Sequence, residues 1–232
     1  MTTGTQPDIE ILFEDNHLLV INKPPGVLSQ EDHTGAPDVL TLCKAYLKEA
    51  YDKPGNVFLG LVHRLDKPVS GVMVLARTSK AASRISDQVR RRKLKKTYLA
   101  IVEGSAPSNG FLDDYLLKDS KKNLVRIVPK GTRGAKDARL SFEKLDEAGG
   151  RSLLRVNLIT GRPHQIRVQL AGHGYPISGD SRYGRGNDGD SDICLHAREL
   201  EFTHPTLKET VQYRGRVPKK GEWNLFKIDS NS

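Results

Sequence analysis

The chain reads as an α+β protein built on a mixed, mainly antiparallel sheet with flanking helices. Two observations predict this. Apolar runs of strand length outnumber helical patterns, and several are separated only by short turns. The strands also fail to alternate regularly with helices, as a wholly parallel sheet would require. No Pro-, Gly- or Ser-rich linker divides the chain. Residues 1–232 therefore read as one domain, with an ordered core over 9–217 and short polar tails.

Ile9–Phe13 and Leu18–Asn22 flank Glu14-Asp15-Asn16, a strand, a turn and a strand. Lys23-Pro24-Pro25-Gly26 ends the second strand, because neither proline can donate to a ladder. Val39, Leu42, Cys43, Tyr46, Leu47 and Ala50 recur at helical spacing after Pro37, and a loop follows over 51–56. Val72–Ala76 is a short apolar strand. Thr78 or Ser79 caps the next helix, whose inner stripe is Ala82, Ile85 and Val89. Further strands are predicted at Tyr98–Val102, Leu124–Val128, Ala138–Leu145 and Leu153–Ile159. A helix starts with Pro163 at its first position and ends near Gly172 or Gly174. Ile193–Phe202 and Thr210–Tyr213 close the fold. Tyr183–Asp192 reads as a polar loop, and the chain after Phe226 as a loose tail.

Lysine and arginine number 37 against 28 aspartates and glutamates, a net charge of +9. Such a balance points to a polyanion, either nucleic acid or an anionic membrane surface. The charge is concentrated. Arg90, Arg91, Arg92, Lys93, Lys95 and Lys96 fall within seven residues. A helix C-terminus favours cations but accounts for only part of this run, so the cluster reads as a contact for RNA backbone phosphates. Lys118, Lys121, Lys122, Arg126, Lys130, Arg133, Lys136 and Arg139 form a second basic stretch, offset by Asp119 and Asp137 alone. Charges of this kind hold phosphates without reading sequence.

Several classes are excluded. No run approaches the roughly 18 apolar residues of a membrane span, and Met1–Asp8 lacks the basic and apolar segments of a leader. Cys43 and Cys194 lie far apart and are expected to be buried thiols in a reducing cytoplasm. Gly184 to Gly189 matches GxGxxG by letter but lacks the strand before it and the helix after it. Asp188, Asp190, Asp192 and Glu199 have calcium-loop spacing, yet Ile193 stands where that loop needs glycine. The seven histidines form neither HExxH nor a Cys/His cluster, and Pro68 occupies the position where a nucleophile elbow around Ser70 would need glycine. No metal and no cofactor is expected.

His63-Arg64-Leu65-Asp66 precedes a Pro/Ser/Gly turn and an apolar strand. Read alone, Asp66 could be a turn aspartate bonded to its own backbone or a carboxylate placed for chemistry. His63-Arg64-Leu65-Asp66 with Ser70-Gly71 and Ala76 resembles the signature of the RluA family of pseudouridine synthases. Ile11 to Gly26, with Asn22-Lys23-Pro24, resembles that family's opening. Lys96-Thr97-Tyr98-Leu99-Ala100 resembles its lysine-x-tyrosine-x-alanine segment. Thr160 to Arg167, followed by Gly174, Pro176, Ile177, Gly179 and Asp180, resembles its third motif, and Leu195-His196-Ala197 fits near the end. The resemblance spans about residues 9–217. Val69 departs from it, standing where many members have threonine. The pattern begins by Ile9, so the small N-terminal RNA-binding domain of many relatives is not expected.

The resemblance implies the pseudouridine synthase fold with a central RNA-binding cleft. It implies isomerisation of specific uridines in rRNA or tRNA to pseudouridine, with base flipping and no cofactor. Asp66 is then the essential aspartate, Arg167 the arginine that pairs with it, and Tyr98 the tyrosine that stacks on the uracil. Arg64 is the candidate to fill the vacated stack, since guanidinium planes stack on bases. Ile166 would wall the base pocket. Arg162, His164 and Gln165 would order the loops or contact RNA, as would His63. The expected partner is an rRNA or tRNA stem-loop, with no membrane and no metal, and the expected state is a cytoplasmic monomer. A catalytically silent RNA-binding or RNA-folding factor on the same scaffold is the alternative reading. A metal-dependent nuclease, also basic, would need a carboxylate cluster that the sequence does not offer.

Overall fold

The computed structural model describes residues 9–184 and 192–228. The chain forms two compact units, Met1–Leu94 with Glu199–Arg216, and Lys95–Arg198 with Val217–Ser232.

In the first unit, β1 (Glu10–Glu14) and β2 (Leu18–Lys23) form an antiparallel hairpin. Its turn is closed by Asp15, whose Oδ1 accepts from the amides of His17 and Leu18 at 2.8 and 2.6 Å. β2 pairs antiparallel with β4 (Ser70–Ala76), from Leu18 opposite Ala76 to Lys23 opposite Gly71. Leu18–Ile21 and Val72–Ala76 are all fully buried. Both faces of these strands are covered, which is why they read as continuous apolar runs without alternation. The short β3 (Gly60–Leu61) pairs with the end of β4.

Two helices complete this unit. Asp38 caps α1 (Val39–Ala50), and Thr78 caps α2 (Ser79–Arg90), each through a side-chain oxygen that accepts an amide at 3.1 Å. The buried stripe of α2 is Ala81 and Ile85, with Ala82 and Val89 flanking it half-buried. The stripe predicted through Ala82, Ile85 and Val89 does face the core, with Ala81 in place of Ala82 as the fully buried alanine. The second half of β10 (Leu195–Thr203) forms a hairpin with β11 (Thr210–Arg214), and its Leu200 and Phe202 pack among Leu18, Val20, Val72 and Val74.

The second unit is antiparallel throughout the pairing of β5 (Lys95–Glu103), β6 (Asn109–Asp119), β7 (Leu124–Val128), β8 (Lys136–Ala148) and β9 (Arg151–Leu158). Their order is β5-β9-β8-β6-β7. β6 was not expected from the sequence. Leu112 and Leu116 point one way and are buried, but Asp114 sits on the same face between them. Its carboxylate accepts from Gln169 Nε2 at 2.7 Å and lies 3.1 Å from His173 Nε2. An acid that serves a helix thus interrupts the period-2 pattern.

α3 (Gln165–Gly172) begins later than predicted. His164 is left-handed, at φ 51°, and its carbonyl accepts the first helical bond from Val168 N at 3.0 Å. Pro163 therefore lies outside the helix and not at its first position. Burial continues past residue 217: the 3₁₀ turn Gly221–Leu225 buries Trp223, and Phe226 follows it into the core. Cys43 and Cys194 are buried and free. The GxGxxG look-alike beyond Gly184, the calcium-spaced Asp188 and Asp190, most of the loop read over 183–192 and the last residues of the tail lie outside the described residues.

Candidate active site

Asp66 lies in the segment between β3 and β4 of the first unit, and this segment is tied down residue by residue. The His63 ring is buried, and its Nε2 accepts from Val74 N at 3.1 Å. Ser29 Oγ donates to the Leu65 carbonyl at 2.7 Å and accepts from Leu65 N at 3.1 Å. The Asp66 carbonyl accepts from Val69 N at 3.0 Å, which closes the turn through Lys67 and Pro68. The Lys67 carbonyl accepts from Gly26 N at 3.0 Å. Gly26 has φ 81°, a left-handed conformation that glycine adopts without steric cost.

Lys23 is the least expected member of this site. It is 1% exposed. Its ammonium donates to the carbonyls of Val27, Pro24 and Lys67 at 2.7, 2.9 and 3.1 Å. Burial pushes its pKa down to about 7, against the opposing pull of the Asp66 carboxylate. A buried cation beside Asp66 therefore comes from β2, a source that the sequence reading did not assign. The clue was present, since Asn22-Lys23-Pro24 belongs to a recognised segment, but nothing local showed where the side chain would go.

Arg64 is exposed and makes no hydrogen bond or ion pair among the described residues. A structural ion pair, the competing explanation for this arginine, is absent there.

In the second unit Tyr98 is buried on β5 opposite Val156 of β9. Arg167 and Ile166 are buried on α3. Arg167 grips Asp180 in a two-pronged pair, Nε to Oδ2 at 2.8 Å and Nη2 to Oδ1 at 2.7 Å. Asp180 Oδ1 also accepts from the amides of Arg182 and Tyr183 at 2.9 and 3.1 Å. Burial alone would raise the Asp180 carboxyl. The Arg167 bonds and charge, with the two amides, outweigh it and hold the group below the usual carboxylate range. The Tyr183 ring lies 5.3 Å from the Arg167 guanidinium, and its hydroxyl is 2.8 Å from His164 Nδ1. Asp180 stood in the third motif without a role, and Tyr183 was not singled out.

Gln165 and Arg162 organise the loop before α3. Gln165 Oε1 accepts from Thr160 Oγ1 at 2.8 Å and Arg162 N at 3.0 Å, while its Nε2 donates to the Arg139 carbonyl at 3.1 Å. Arg162 Nε donates to the Asp137 carbonyl at 2.7 Å, and its Nη2 bonds the Asp137 carboxylate. The amide of Gln165 is engaged at both ends within the protein, and these bonds order the loop.

The basic cluster divides between the units. Arg90 and Arg91 both pair with Asp87, Arg91 at 2.9 Å, and both remain exposed. Arg92 adopts φ 57° just past the end of α2, and Lys93 and Lys95 are exposed. Lys96 differs: burial of its ammonium pushes its pKa down to about 8, although part of the side chain still meets solvent. Among the described residues no group of three histidine, cysteine or acidic side chains is placed to hold a metal, and no helix is long and apolar enough to cross a membrane.

Comparison with known proteins adds independent findings. The family model for RNA pseudouridylate synthase matches residues 17–172. The chain is 34% identical over 213 residues to the uncharacterized RNA pseudouridine synthase YhcT of Bacillus subtilis, covering 91% of this chain and 69% of that protein. It is 33% identical to ribosomal large subunit pseudouridine synthase D of Nitrosomonas europaea, covering 90% and 62%. It is 37% identical to ribosomal large subunit pseudouridine synthase C of Buchnera aphidicola, covering 84% and 63%. The chain thus spans about six to seven tenths of the length of these relatives. Among solved structures, the human RNA pseudouridylate synthase domain containing 4 superposes with a TM-score of 0.76 at 26% identity, covering 90% of this chain and 89% of that one. The matched residues include the Asp66 segment, β5 with Tyr98 and α3 with Arg167, and on this evidence the chain belongs to the RNA pseudouridylate synthase family, among relatives of the RluA type.

Proposed function

We propose that this protein isomerises specific uridines of ribosomal or transfer RNA to pseudouridine. The observation that carries the reading is the family match over residues 17–172, which takes in Asp66, Tyr98 and Arg167 together. That match runs through both compact units and supports reading them as parts of one catalytic domain.

The reaction breaks the bond between ribose C1′ and uracil N1, turns the base, joins C1′ to C5, releases the C5 proton and takes up one proton at N1, so that the product is an isomer of the substrate. Atoms and charge balance without a redox partner or group donor. In this reading Asp66 acts as nucleophile on the sugar or as base toward it. Its segment is fastened through Ser29, Gly26 and Lys23, which supports a carboxylate held in one geometry. Tyr98 stacks on the flipped uracil, Ile166 lends an apolar wall, and Arg167 keeps the counter-charge role its motif implies. Arg64 fills the vacated stack; its exposure, with no partner among the described residues, favours this over a structural role. Arg162, His164 and Gln165 shape the loop that presents Arg167. Cytoplasmic residence, a monomeric state and independence from metal and cofactor belong to the same reading.

The test is tritium release from RNA carrying 5-tritiated uridine, with chelator present throughout and Asp66→Ala in parallel. Wild-type protein should release the label and the variant should not. Undiminished release by Asp66→Ala would remove Asp66 from the mechanism. Binding of RNA without release on either ribosomal or transfer RNA would favour a silent RNA-binding factor.

A further inference from the structure

A groove of about 700 Å³ lies in the first unit between the outer face of α2 and the turn that joins β10 to β11. Its two walls are stapled together. Gln88 Nε2 donates to the Thr203 carbonyl at 2.7 Å, and Gln88 Oε1 accepts from Thr203 N at 2.8 Å. Arg84 Nη1 donates to the Pro205 carbonyl at 2.8 Å.

The turn is itself built rigidly. His204 is 1% exposed, with Nε2 3.1 Å from Asp15 Oδ2. Its Nδ1 accepts from Leu207 N at 3.1 Å, so the ring organises the turn backbone. Lys208 is held at φ 66°, a left-handed conformation that is costly for a side-chain-bearing residue. That cost is met by the surrounding bonds, among them Lys208 N to the His204 carbonyl at 3.1 Å.

The lining has a definite chemistry. Arg84, Arg90, Lys93 and Lys208 supply four cations against one carboxylate, Asp87. Asp87 is already engaged by Arg90 and Arg91. Serines, a threonine and a glutamine make up most of the remainder, and Pro205 is the one apolar side chain. Sites for small organic ligands are lined mainly by apolar and aromatic side chains, whereas most of the side chains lining this groove are charged or polar. Lysine, arginine, serine, threonine and glutamine are the side chains that contact phosphate oxygens of nucleic acids. The 204–208 wall is anchored through Asp15 beside the Leu18–Ala76 end of the β2–β4 pair, the end opposite the one at which the Asp66 segment enters β4, so an RNA strand held here would be gripped away from the reacting base.

We propose that this groove is an accessory RNA site, which holds the phosphate backbone of the substrate at a distance from the target uridine. The proposal rests on the reading of the protein as an RNA-modifying enzyme, and it assigns Lys208 and the 204–208 turn to RNA binding, beyond the run of cations that follows α2.

The experiment measures binding of a large-subunit ribosomal RNA transcript in the Asp66→Ala background across a salt series. It compares Lys93→Ala/Lys208→Ala with Lys44→Ala/Lys48→Ala, which removes the same charge from the exposed side of α1. The groove pair should bind about tenfold more weakly at moderate salt and lose about two from the slope of log K against log salt. The α1 pair should lose less than half of either effect. Equal behaviour of the two pairs overturns the proposal. So does a result in which the groove pair loses affinity for polyglutamate but not for RNA, since the occupant would then be an acidic protein. Tritium release by the Asp66-intact protein separates the two failures. Release with equal binding by both pairs sinks the groove alone, while no release with selective loss of RNA binding sinks the enzymatic reading and leaves the groove standing.

Discussion

Around Asp66 the fastening runs from side chains to backbone. Ser29 holds both polar groups of Leu65, and Lys23 spreads one ammonium over three carbonyls from two segments. Around Arg167 it runs from side chain to side chain, with Asp180 taking one edge of the guanidinium through two nitrogens and Tyr183 lying against it. The first arrangement sets the path of a loop and leaves Asp66 half-buried. The second fixes one side chain on a helix in a buried setting. Carbonyl acceptors are dipoles, so losing Lys23 leaves unsatisfied polar groups. Losing Asp180 takes a two-pronged partner from a buried full charge, which is costlier.

That difference predicts an order of effects. Asp180→Ala should be the most damaging, lowering stability by about 3–5 kcal/mol because the buried Arg167 loses its two-pronged carboxylate. Urea denaturation measures this, and a loss below about 1 kcal/mol would show that water or a shifted side chain replaces the pair. Lys23→Met comes next, at about 2–3 kcal/mol, from carbonyls left without a donor.

Lys23 also has a signature in pH. Its folded pKa lies near 7, below the ordinary 10.5 of the unfolded chain. Between these values the unfolded state binds the extra proton, so stability rises with pH by up to about 1.4 kcal/mol per unit above pH 7. Wild type should show this rise relative to Lys23→Met between pH 7 and 9 in denaturant titrations. Parallel curves would mean that Lys23 stays charged throughout that range.

Ser29→Ala should cost about 1–2 kcal/mol, since it removes one hydroxyl that serves a donor and an acceptor of Leu65. It should also lower turnover, because it loosens the residue next to Asp66. A full stability loss with unchanged kcat would separate loop anchoring from catalysis. The smallest effect on stability belongs to Arg64→Ala, within about 0.5 kcal/mol, as expected for an exposed side chain with no partner among the described residues. Its effect should fall on RNA instead, with kcat/KM down about tenfold if the guanidinium stacks in place of the flipped base. Unchanged kinetics would return Arg64 to an ordinary surface position.

The strands around the first core were legible because Leu18–Ile21 and Val72–Ala76 are apolar on both faces. β7, the cap of α2 and the two buried cysteines were legible for equally local reasons. β6 was hidden by Asp114, whose partners on and just past α3 lie 55 and 59 residues away. The start of α3 was misread because Pro163 suits a first helical position, while Gln165 folds back on Thr160 and Arg162 and moves the start past a left-handed His164.

The candidate site divides in the same way. Asp66, Tyr98 and Arg167 were found through motifs, since residue type and spacing survive in one dimension. Their supports were not. Asp180 was visible as part of a motif but not as the group that grips Arg167, and Lys23 gave no sign that it would be buried beside Asp66.

By itself the sequence determined the fold class, most elements and the identity of the chemical groups. These depend on apolar periodicity, capping and motif spacing, all of which act over a few residues. Only the tertiary structure decided which charges are buried and what faces them. A buried ion is stabilised by whichever carbonyls, amides and counter-ions surround it, and for Lys23 the decisive ones include a carbonyl 44 residues away.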